Sequence, residues 1–140
     1  MPRSPILSCL LAAGLSLAAL ALPAQAQGLD CRNPVTQADM NGCAHSEWQM
    51  QDAWLNSAYG DAMKLMKDWD ADLPEDEQGA ADKLREAQRA WITYRDAACA
   101  AEGYAMRGGS AEMLLVYGCM TRLTEARAAD LQALYDSYSN

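Results

Sequence analysis

A single imidazole, His45, is all that the 140-residue sequence offers to a nucleophile–base pair or a zinc site. There is no Cys-x-x-Cys pair either, so structural zinc is a weak reading. The sequence carries no phosphate loop, no dinucleotide fingerprint and no metal motif. The acidic stretch from Asp70 to Glu77 lacks the alternating spacing of a calcium loop. No cofactor is expected. Glu75, Asp76 and Glu77 supply the carboxyl pairs that glycoside hydrolysis needs, but nothing marks a cleft, and an acidic helix start is the usual explanation. A hydrolase of envelope polymers is therefore the minor reading. Positive charge is scarce: 11 Lys and Arg stand against 19 Asp and Glu, a net charge of −8. Such a surface repels nucleic acid and anionic lipid and favours cationic partners, although plain solubility explains it equally well. Polar–apolar alternation of the β type, low-complexity tracts and internal repeats are also missing.

What is present begins with a targeting segment. Arg3 gives a weakly positive start, Ile6 to Leu22 is an apolar run, and Pro23-Ala24-Gln25-Ala26 ends in a small-x-small cleavage pattern. Residues 1–26 are expected to be a signal peptide, leaving residues 27–140 as one small domain with no permanent membrane anchor, periplasmic or secreted. Cys9 precedes most of the apolar run, where a lipid-attachment cysteine would follow it. Cleavage removes one Arg and no acid, so ten cations face nineteen acids and the charge becomes −9.

Cleavage also leaves four cysteines, Cys31, Cys43, Cys99 and Cys119, an even count that argues for two disulfides in an exported domain. Cys99 and Cys119 lie symmetrically about Gly109, the centre of Gly108-Gly109-Ser110. If that is the turn between antiparallel helices, the two cysteines face each other, and Cys31 pairs with Cys43. A Cys43–Cys99 bridge is the alternative, because the first helical hairpin also brings those positions close.

The spacing predicts three helices. Thr36 and Asp39 form a capping signal for the first, about 36–69, whose stripe runs Met40, Ala44, Trp48, Gln51, Leu55, Ala58, Ala62, Leu65, Trp69, with Gly42 and Gly60 as weak points. Pro74 suits the first turn of a second helix, about 75–106, with fraying at 79–81 and a loosened end at Gly103. Its stripe is Leu84, Ala87, Trp91, Tyr94 and Ala98, flanked by Gln88 and Arg95. Ser110 caps the third, about 111–137, with a stripe of Leu115, Cys119, Leu123, Ala126, Asp130, Leu134 and Tyr138. The expected architecture is all-α, an antiparallel three-helix hairpin or bundle stapled by two disulfides. Using the turns as mirror points, Gln88 falls near Asn56, Trp91 near Arg127, and Arg95 near Thr124 with Asp52 or Glu47 in reach. These residues make a polar layer in a bundle or a recognition surface, and the bundle layer is the simpler reading. His45 reads as a surface residue of the first helix.

Five motifs give the chain a resemblance. Met40-Asn41-x-Cys43-Ala44, Leu55-Asn56-x-x-Tyr59, Ala87-Gln88-Arg89-Ala90-Trp91-x-x-Tyr94-Arg95-Asp96-x-x-Cys99, Gly108-Gly109-Ser110 and Cys119-x-x-x-Leu123-Thr124-x-x-Arg127 resemble the LprI-type domain over nearly all of the mature chain. That family comprises small exported bacterial helical proteins, and its named member is a mycobacterial surface lipoprotein that inhibits lysozyme. The resemblance implies a non-enzymatic binding protein whose partner is a basic protein such as c-type lysozyme. It marks Asn41, Asn56, Tyr59, Gln88, Trp91, Tyr94, Arg95, Thr124 and Arg127 as structural or binding positions. A structural or small-ligand-binding envelope domain is the competing class. Oligomeric state is not legible.

Overall fold

The computed structural model describes residues 29–139; the expected leader and Cys9 lie outside the described residues. Three helices make up the bundle: α1 (Gln37–Ala71), α2 (Ala80–Gly103) and α3 (Glu112–Tyr138), with 3₁₀ turns at Glu75–Glu77 and Tyr104–Met106. Among the described residues there is no strand.

α1 starts where the capping signal placed it. Thr36 Oγ1 accepts from the Asp39 N–H at 3.1 Å, and Asp39 Oδ2 accepts from the Thr36 N–H at 3.0 Å. The Thr36 N–H holds the Asp39 carboxyl below the usual carboxylate range. The helix runs unbroken through Gly42 and Gly60.

The second helix departs from expectation. Pro74 opens only a short 3₁₀ turn, and α2 begins at Ala80, five residues later than read from the sequence. The cause lies on another helix. Asp70, near the end of α1, accepts the N–H groups of Gly79, Ala80 and Ala81 at 2.8, 2.8 and 3.0 Å. A helix start leaves such donors orphaned, and here a carboxylate from the preceding helix supplies the cap. Gly79 makes the approach with φ +145°, a conformation that other residues rarely adopt.

The third helix also lacks the expected cap. Ser110 is not its N-cap; Ala111 occupies that position without a side-chain bond. Glu112 closes the turn instead, accepting from the Gly108 N–H at 2.8 Å and from Arg107 Nη1 at 2.6 Å. Nor is Gly103 a loose end. It is buried, and a Cβ there would sit 2.6 Å from Val116 Cγ2, so its bareness lets α2 approach α3.

The longest seam joins helices that are not neighbours in sequence. α1 packs along α3 more extensively than either packs on α2. Asn41 bonds Ser110, Trp48 stacks on Tyr117, and Trp69 meets Tyr138, each pair 69 residues apart. That constant offset makes α1 and α3 parallel, with α2 antiparallel to both. The apolar core (Leu55, Ala58, Ala62, Leu65, Met66, Ala81, Leu84, Ala128, Leu131) fills the half nearer the α1–α2 turn. The other half is held by cystines and by a polar, aromatic layer.

Both disulfides pair as first expected, Cys31 with Cys43 and Cys99 with Cys119, at Cα separations of 5.4 and 5.3 Å. Cross-links closing loops of this size stabilise by roughly 2–4 kcal/mol each. Cys99–Cys119 also fixes the rotation of α2. Arg95 lies four residues before Cys99 and Gln88 eleven, so both turn inward with it. Tyr94 is five residues away, about 140° round the helix at 3.6 residues per turn. The inward line is therefore Ala81, Leu84, Gln88, Arg95 and Cys99, and the expected stripe members Ala87 and Tyr94 face solvent, Tyr94 at 62% exposure. α3 is rotated too: Cys119, Thr124, Ala128 and Leu131 are buried, whereas Ala126, Asp130 and Tyr138 are exposed. Alanines bury little area and set a face only weakly; packing against two helices decides it.

Candidate functional site

The motif residues converge on Arg95. Its side chain leaves the middle of α2 and is only 9% exposed. Nε donates to Asp96 Oδ1 at 2.9 Å, and Nη1 reaches Asp52 Oδ1 on α1 at 3.4 Å. The guanidinium carbon lies 5.1 Å from the Trp91 ring centre and 5.7 Å from that of Trp48, within cation–π range of both. Trp48 continues the cluster onto α3, with Tyr117 stacked at 5.9 Å and 18°. His45, expected on a helix surface, is half-buried here, 4.7 Å from Tyr117 and 5.6 Å from Trp48. Three helices thus meet around one cation.

The other marked residues fall around this centre. Asn56 was expected opposite Gln88; it donates instead to Asp52 Oδ2 on its own helix at 3.1 Å, orienting the carboxylate that Arg95 reaches. Gln88 Oε1 accepts from Arg127 Nε at 3.1 Å, tying α2 to α3. The guanidinium on Trp91 is that of Arg95 rather than Arg127. Tyr59 and Trp91 are half-buried against the apolar core. Asn41 accepts from Gln37 Nε2 and donates to the Ser110 carbonyl, both at 2.9 Å, latching α1 to the α2–α3 turn. Thr124 is fully buried, and among the described residues neither its Oγ1 nor Trp48 Nε1 has a hydrogen-bond partner. Tyr94 stands apart: its ring is on the outer face of α2.

The bonds of this cluster run from helix to helix, Arg95 on α2 to Asp52 on α1 and Gln88 on α2 to Arg127 on α3. Among the described residues the four cysteines are tied up as cystines, and no group of three or more His, Cys, Asp or Glu is placed to hold a metal ion. No helix among the described residues is long and apolar enough to cross a membrane.

Charge distinguishes one end of the bundle. Asp68, Asp70, Asp72, Glu75, Asp76, Glu77 and Asp82 are seven carboxylates in fifteen residues, with no Lys or Arg between them. They surround the α1–α2 turn, where the tip residues from Ala71 to Gln78 are all exposed. In the sequence Glu75, Asp76 and Glu77 read as a helix start, and Asp70 was not read as the cap of α2. The three N–H donors, that of Gly79 foremost, hold its carboxyl below the usual range. Glu112 is lowered likewise, chiefly by the Gly108 N–H and then by Arg107. In the sequence, the hint of such a cap is an aspartate ten residues before the first residue of α2.

Fold and cluster together define the class: a three-helix bundle stapled by two disulfides and keyed at its middle by a guanidinium between two tryptophans. The chain belongs to the lysozyme inhibitor LprI family, whose model matches residues 31–131. It is 42% identical over 114 residues to an uncharacterized protein of Rhizobium meliloti, covering 79% of this chain and 82% of that one. Uncharacterized protein YecT of Escherichia coli is 33% identical over 78 residues, covering 50% of this chain and 47% of the relative. The crystal structure of a DUF1311 family protein from Pseudomonas putida matches with a TM-score of 0.62 at 28% identity, covering 74% of this chain and 97% of that one.

Proposed function

We propose that this protein is an exported binding protein that inhibits a basic c-type lysozyme by covering its active-site cleft, with no chemistry of its own. The observation that carries the reading is the acidic end of the bundle in a member of a lysozyme-inhibitor family. Seven carboxylates, of which Asp68 pairs with Lys64 and Asp82 with Arg85, leave an excess of negative charge at this end that steers a basic partner. Residues 1–26 act as the signal peptide and residues 27–140 as the working domain in the periplasm or outside the cell, where disulfides persist. The Arg95 cluster, Gln88–Arg127 and Asn41 serve the bundle, and the binding surface lies elsewhere.

A second reading, a structural envelope domain, draws on the same inter-helix bonds of the motif residues. A lysis assay separates the two. Mature protein is mixed with a c-type lysozyme and a cell-wall substrate, at low and at physiological salt. Exposed charges are screened beyond roughly 8 Å at physiological ionic strength, so a packed interface keeps inhibiting there while generic attraction fades. Undiminished lysis with excess protein at physiological salt rejects the inhibitor role.

A further inference from the structure

At the acidic end, the last turns of α1 and α3 flank an open cleft of about 320 Å³. Its lining is mixed, with three aromatic rings, Trp69, Tyr135 and Tyr138, beside charged and polar side chains. Trp69 and Tyr138 meet at 5.3 Å and 84°, and Tyr135 lies beside them. Trp69 and Tyr135 are half-buried and pack on the apolar core, while Tyr138 remains 61% exposed. The charged lining is Lys64, Asp68 and Asp72. Lys64 pairs with Asp68 at 3.2 Å, with both side chains well exposed, a contact that rearranges easily. Asp72 has no ion-pair partner among the described residues.

We propose that this cleft binds one guanidinium or ammonium side chain presented by a basic protein. Three observations converge. Ring faces attract a cation within about 6 Å of their centres. Asp72 offers an unpaired carboxylate for a charge-assisted hydrogen bond. The volume lies at the lower limit of ligand pockets, which run from about 300 to 1,000 Å³, so it suits one long side chain rather than a multi-ring ligand. Aromatic rings with carboxylates also suit a sugar. A neutral sugar, however, gains nothing from the surrounding negative field, whereas a cation does, and the field therefore selects the cation. This assignment rests on the proposed binding of a basic protein and names the anchor for it.

Two measurements test it separately. In the first, argininamide is titrated into the mature protein and followed by NMR at the Trp69 indole N–H and the Tyr138 ring, with tri-N-acetylglucosamine as the neutral control. Saturable shifts at both positions with argininamide, weakened at least fivefold in Asp72→Asn/Tyr138→Ala, are expected. No shift, shifts unchanged in the variant, or shifts with the sugar instead would overturn the assignment. In the second, the same variant and Glu125→Gln/Asp130→Asn, which neutralises two exposed acids on α3, are titrated with c-type lysozyme at physiological salt. The cleft variant is expected to bind at least tenfold more weakly at an unchanged melting temperature, and the control within twofold of wild type. Equal binding by the cleft variant removes the cleft as anchor and leaves the inhibitor reading standing. Absence of lysozyme binding by wild type, with the argininamide shifts intact, sinks the inhibitor reading and supports the cation site.

Discussion

Arg95→Ala tests whether the central guanidinium holds the bundle. The side chain is 9% exposed and donates at 2.9 Å to Asp96 and at 3.4 Å to Asp52. Breaking a fully buried ion pair costs about 3–5 kcal/mol, because the stranded partner stays desolvated. Here Asp52 and Asp96 keep 38% and 50% of their side-chain exposure, so water can replace the lost donors and the penalty is smaller. The 3.4 Å contact is also too long to contribute fully. One good charge-assisted bond, about 1.5–3 kcal/mol, then dominates; of the two cation–π contacts the nearer, to Trp91, adds about 0.5–1 kcal/mol and the one to Trp48, near the limit of range, adds less. Part of this is offset by resolvation of the carboxylates. The net expectation is a loss of about 2–3 kcal/mol, or about 10 °C in Tm for a domain of this size. Arg95→Lys, which keeps the charge but not the planar fork, is expected to lose about half as much. Thermal and urea unfolding followed by circular dichroism, with disulfides intact, give both numbers. A variant that melts within about 0.5 kcal/mol of wild type would refute the structural role and return Arg95 to the candidates for partner contact.

Mild reduction is expected to open Cys31–Cys43 first, since Cys31 is exposed while Cys99 and Cys119 are sealed at 0% and 2%; pulse alkylation and mass spectrometry showing equal labelling of both pairs would contradict this. Asp39, Asp70 and Glu112 all have lowered pKa values, so the folded state binds fewer protons than the unfolded one in the acid range. Their contribution is complete above the ordinary carboxylate range and is lost as pH falls through the depressed folded values. Asp70→Ala should therefore lose stability at neutral pH yet converge on wild type in strong acid, and a gap that persists there would exclude the cap as its cause. Gly103→Ala places a Cβ 2.6 Å from Val116 Cγ2 and should destabilise by about 1–3 kcal/mol, as overpacking does. Val116→Ala in the same chain should recover most of that loss in a urea titration.

Local rules carried much of this protein into its sequence. The three helices, the Thr36–Asp39 cap and both cystines were legible because capping, periodicity and cysteine symmetry act within short stretches of chain. The inward stripe of α1 was legible for a further reason: Leu55, Leu65 and Trp69 are large enough to fix a face by area alone, although the buried Met66 beside them was not read as part of it. Other features needed partners distant in sequence. The face of α2 was decided by a covalent bond to α3, which turned Gln88 and Arg95 inward and Tyr94 outward against the apparent stripe. The start of α2 was decided by Asp70 on α1, which outcompeted Pro74 as a helix initiator by satisfying three backbone donors at once. The parallel seam of α1 on α3, and with it the cluster of His45, Trp48 and Tyr117 and the cleft of Trp69 and Tyr138, joins positions 69 residues apart. Helical periodicity says which residues share one face of one helix; it carries no information about which face of which other helix meets them. That choice belongs to the packed bundle, where burial, ion pairing and the cystine constraint are satisfied together.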